Sequence, residues 1–134
     1  EALGEGATAK AVREATAEDL VGLELLLVGS PTRAFRPTPA TVAWLKDLPA
    51  GRLHGVQVAA FDTRADLAEV KSGLLRRMID LFGYAASPIS KRLVQKGGTL
   101  AMAPQGFLVK GTEGPLVEGE LERAAAWARK AAGR

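Results

Sequence analysis

Residues 25–32 read Leu-Leu-Leu-Val-Gly-Ser-Pro-Thr, and the fold turns on how that stretch is covered. Its apolar run is continuous rather than alternating, so a strand formed here must be buried on both faces, as in a parallel sheet held between helices. The spacing predicts a strand over Glu24 to Gly29, ended by Gly29-Ser30-Pro31-Thr32. Downstream, Thr38-Pro39 supplies a capping hydroxyl and a proline at the first helical position. A helix from Pro39 to about Leu48 follows, stopped by Pro49-Ala50-Gly51. Val56 to Phe61 is a second buried run, closed by Asp62-Thr63-Arg64. From Leu67, the positions Val70, Leu74, Leu75, Met78, Ile79 and Phe82 recur at helical spacing until Gly83.

The same alternation continues to the end of the chain. Ser87-Pro88 repeats the cap-plus-proline start, Ile89, Leu93 and Val94 mark one helix face, and Gly97-Gly98 reads as a helix stop. Thr99 to Ala103 is a third strand, with Gly106 to Val109 continuing it beyond Pro104. After the loop Gly111-Thr112-Glu113-Gly114-Pro115, a last helix is expected from Glu118 to Ala131, with Leu121, Ala124, Ala125 and Ala128 facing inward. Upstream of the first clear strand, Ala7 to Val12 is a weak strand candidate. Thr16-Ala17-Glu18-Asp19 carries a capping pair for a single helical turn. Strands alternating with helices make an α/β protein in which right-handed crossovers bring all strand C-termini to one edge.

The chain is 134 residues long, which suits one domain, and it contains no internal repeat or linker. Its 47% apolar and 25% charged residues belong to a folded protein rather than a disordered one. Cysteine is absent and His54 is the single histidine, so disulfides, thiolate ligands, thiol nucleophiles and multi-histidine metal sites are excluded. No apolar stretch approaches the roughly 18 residues that cross a bilayer, and a cytoplasmic location is expected. Net charge is +3, concentrated in the second half, without the aromatic interleaving of a nucleic-acid surface; a solvated basic face is the reading preferred. Glu18 with Asp19, and Glu118 with Glu120 and Glu122, sit at helix starts, where negative charge is favourable without any catalytic role. Ser30 has no nearby base, so no catalytic residue is assigned.

Ligands of open α/β sheets bind outside the carboxyl ends of the strands, which singles out two loops. Gly29 to Pro37 combines small residues with Arg33, Phe35 and Arg36, and is long for a strand-to-helix connection. It either receives a planar ligand or simply shapes a turn with Phe35 in the core. The second is Asp62 to Asp66.

Three segments together, Leu25 to Thr32, Phe61-Asp62-Thr63-Arg64, and Gly111 to Leu116 followed by Gly119 to Ala124, resemble the flavodoxin family. The resemblance covers essentially the whole chain. It implies a flavodoxin-like three-layer sandwich over residues 1–134, non-covalent FMN and electron transfer to a redox partner protein. The implied cofactor-binding residues are Ser30, Pro31, Thr32 and Arg33, with Phe35 stacking on the ring, and Asp62, Thr63 and Arg64 on its other side. Aligned to that family, Glu1-Ala2-Leu3-Gly4 looks like the end of the first helix, so the first strand and the hydroxyl-rich phosphate loop fall outside this sequence. Two other readings stay open: a flavin-free interaction or regulatory domain, and a flavin-dependent quinone or metal reductase.

Overall fold

The structure is a computed structural model and describes residues 2–32, 36–65, 73, 84–110 and 114–134. In chain order the elements are β1 (Leu25–Pro31), α1 (Pro39–Asp47), β2 (Gln57–Ala65), α2 (Ala86–Gln95), β3 (Thr99–Leu100), β4 (Gln105–Val109) and α3 (Glu120–Ala131). A 3-10 turn, Ala17–Leu20, precedes β1. Its start is fixed by Asp19, whose carboxylate accepts the Thr16 N–H at 2.7 Å, as the capping pair predicts. The helix expected from Leu67 to Phe82 lies outside the described residues except for Gly73, which is helical.

The four described strands pair in parallel, and β2 is at their centre. β1 runs along one side in the register Leu25↔Gln57 to Pro31↔Thr63. On the other side β3 pairs Gln57 and Val58, and β4 pairs Phe61 to Ala65, so the two form one interrupted line. The break at Pro104 predicted from sequence is therefore present, but it opens earlier: pairing stops after Leu100, and only the Ala101 N–H still reaches the Val58 carbonyl, at 2.8 Å.

Alternation of side chains along β1 and β2 sorts the core into two layers. Leu26, Val28, Val58 and Ala60 face α1 and α2, where Leu45, Ile89 and Leu93 are fully buried. Leu27, Ala59 and Phe61 face α3, against Phe107 and Trp127. Helices thus cover both faces, as the unbroken apolar run of β1 requires. Alanine at positions 59 and 60, both without exposed surface, lets the two helical layers approach the central strand closely.

Four expectations are corrected. Ala7 to Val12 is not a strand: it has no sheet pairing and is mostly exposed. Apart from Val12 its side chains are alanine, threonine and lysine, which bury too little to hold an extended segment. α2 begins at Ala86, with Ala85 at the cap position, rather than at Pro88 with Ser87 as its cap, leaving Ser87 and Pro88 inside its first turn. α3 begins at Glu120, and its inward positions are Ala124, Trp127 and Ala128, whereas Leu121 is 69% exposed. The indole sets the phase of that helix because it has the most apolar surface to bury. The fourth concerns the strand ends. β1 continues through Ser30 and Pro31, and β2 through Asp62 to Ala65, so residues assigned to loops lie in paired strands. Proline is tolerated because backbone groups directed at β2 come from the alternate residues: the Gln57 N–H bonds the Glu24 carbonyl and the Thr32 N–H bonds Thr63 O, both at 2.9 Å. Pro31 falls in the other set, on the outer side where no N–H is needed.

Candidate functional site

β1, β2 and β4 end on one side of the molecule, and α1 and α2 begin there. The chain's chemically distinctive residues gather at that edge. Ser30, at the end of β1, is buried, and its hydroxyl oxygen accepts the Thr38 N–H at 3.0 Å while donating to the Pro31 carbonyl. Thr38 in turn caps α1, with its hydroxyl 2.9 Å from that of Thr41. The serine therefore fixes the entry into α1 rather than facing outward.

One residue further, the Thr32 hydroxyl accepts the Ala85 N–H at 3.1 Å. Asp62, with no exposed surface, accepts the Ala86 N–H at 2.9 Å. These are two of the orphan donors at the start of α2, and they account for the absence of a capping side chain at Ala85. Asp62 also receives a two-pronged ion pair from Arg64, Nε to Oδ1 and Nη2 to Oδ2, both 2.7 Å. The Arg64 guanidinium lies over Tyr84, 3.5 Å from the ring centroid, and across Gly106, where any Cβ would collide with it. Its charge is thus balanced from beneath by a carboxylate and spread against an aromatic face.

The structure brings Ser30, Pro31, Thr32, Asp62, Thr63 and Arg64 together at this edge; Arg33 and Phe35 lie outside the described residues. Pro31 is exposed, and Thr32, Thr63 and Arg64 are half-buried. Arg36 is exposed and turns away, toward the space between α1 and α2. His54 is exposed in the turn before β2, at the opposite end of the sheet. Sequence reasoning missed Tyr84 and Gly106. Tyr84 is the chain's single tyrosine, just ahead of a helix start, and that was the one available signal. No family model matches this chain, and no curated protein does either. The structural edge is therefore what a functional reading has to rest on.

The fit of an FMN-sized ligand differs between its two ends. At the ring end, exposed Pro31, half-buried Thr63 and the Tyr84 ring offer a ledge of aromatic and uncharged polar groups beside a neutralised cation. At the phosphate end, a helix start with free N–H groups is required, and none of the described helices offers a built cradle. α2 spends its first donors on Thr32 and Asp62, α1 on Ser30 and Thr38, and α3 opens with Glu120 and Glu122. Among the described residues no cluster of histidine and carboxylates suits a metal ion, and no helix is long and apolar enough to cross a membrane.

Proposed function

We propose that this chain is a flavodoxin-like domain that takes the isoalloxazine end of FMN at the strand C-termini and serves electron transfer. What carries the reading is the convergence, at the C-terminal edge of one parallel sheet, of the two segments assigned to the ring from sequence. Parallel α/β sheets bind ligands at that edge. A bound flavin supplies the electron-accepting chemistry. The polypeptide orients the ring with the ends of β1 and β2 and keeps the Arg64 charge fixed by Asp62. It gives no acid or base to the reaction.

Because the described residues lack a phosphate cradle, riboflavin and FMN should bind this 134-residue chain with affinities within about threefold, read by quenching of flavin fluorescence. Phe35→Ala should weaken both by about 0.5 to 1.5 kcal/mol if that ring stacks. A flavin-free interaction domain is the second reading, favoured by the engagement of Ser30, Thr32 and Asp62 with the chain's own N–H groups. Absence of quenching by either flavin would establish it instead.

A further inference from the structure

Between α1 and α2 lies a groove of about 610 Å³. Its floor is apolar: Val42 and Leu45 of α1, and Pro88 and Ile89 of α2, with Leu45 and Ile89 wholly buried at the bottom. Its rim is cationic, formed by Arg36, Lys46 and Arg92, and no aspartate or glutamate lines it among the described residues. None of these three side chains makes an ion pair with another described residue, unlike Arg64, Arg123 and Lys10. The spacing along each wall is helical, Val42 with Leu45 and Lys46 on one side and Pro88 with Arg92 on the other. Along α1 the lining runs from Pro39 to Lys46, roughly 11 Å at 1.5 Å per residue.

We propose that this groove docks an acidic amphipathic helix of a partner protein. An apolar floor between two helices takes anchors at i, i+3, i+4 and i+7 of a third helix. A cationic rim with no carboxylate lining it among the described residues selects a segment whose flanking positions are glutamate or aspartate. A polyanion such as nucleic acid would match the rim but leave the floor uncovered, and a neutral apolar ligand would do the reverse. The proposal does not depend on the flavin reading.

The test uses the full chain and a synthetic 14-residue helix with leucines at i, i+3, i+4 and i+7 flanked by glutamates. Its controls replace every glutamate by lysine or scramble the leucines. Amide shifts in NMR locate binding, and fluorescence anisotropy gives the dissociation constant. The acidic helix should perturb Val42, Leu45, Ile89 and Arg92, and both controls should bind at least about tenfold more weakly. Lys46→Glu/Arg92→Glu should cost the acidic helix about tenfold or more and improve the lysine control, with the melting temperature as a check on folding. Equal binding of acidic and basic helices, or shifts outside the groove, would overturn the proposal. So would binding of a DNA duplex in place of the peptide, or concentration-dependent self-association through the groove that the acidic helix does not displace.

Discussion

Asp62 has no contact with solvent, yet it holds together three elements: its own strand, the Arg64 side chain lying over Tyr84, and the first turn of α2. Truncating it leaves a partly buried guanidinium and a helix-start N–H without acceptors. Asp62→Ala should therefore cost about 3 to 5 kcal/mol in urea denaturation, and Asp62→Asn clearly less. A loss under about 1 kcal/mol would show that the pair is surface decoration. Glu120 behaves differently, because its partner Arg123 is well exposed. The Arg123 guanidinium, aided by the Leu108 N–H, outweighs burial and lowers the Glu120 carboxyl from 4.5 to about 2. A lowered carboxyl stabilises the fold fully above its ordinary value and ceases to do so as pH falls from about 4.5 toward 2. Glu120→Gln should flatten the acid limb of the stability profile in that window and cost about 1 kcal/mol at neutral pH. An acid limb of unchanged slope would assign the acid sensitivity to other carboxylates.

At the scale of single elements, β1 depends on a glycine in an unexpected way. Gly29, the last residue of the strand expected from sequence and the first of its closing turn, is a paired strand position over which the Phe61 ring is folded, and an added Cβ would lie 2.1 Å from that ring. Gly29→Ala should destabilise by about 1 to 3 kcal/mol through overpacking. Phe61→Leu should recover much of that loss in a double-mutant cycle; additive penalties would mean the two sites are uncoupled. The starts of the helices teach a related lesson. Thr38 is a cap recognisable in sequence, and Thr38→Ala should cost about 1 kcal/mol by thermal melting. The acceptors at the start of α2 come from residues 53 and 24 positions away, so local spacing misplaced that boundary by two residues. Long apolar runs were readable because burial on both faces leaves a direct signature. Strand ends were not, since Asp62 to Ala65 become strand only through pairing with β4 and, at Asp62 and Thr63, with β1.

For the molecule as a whole, sequence reading placed the parallel sheet and the helices that cover it, because these follow from apolar periodicity and the handedness of crossovers. It could not reveal that Ser30, Thr32 and Asp62 are occupied by backbone donors, a property of tertiary contacts alone. Phe61, Phe107 and Trp127 form a closed set of edge-to-face rings with centroids 5.8 to 6.1 Å apart. The Trp127 indole N–H, buried on that side of the sheet, has no acceptor among the described residues. Trp44, on the opposite side, is half-buried and its N–H reaches the Ala15 carbonyl at 3.4 Å. With just two tryptophans in the chain, each helical layer carries its own optical reporter, blue-emitting for α3 and red-emitting for α1. Stopped-flow emission recorded at both wavelengths would thus time the detachment of each layer from the central strand separately. Single-tryptophan variants would assign the two signals.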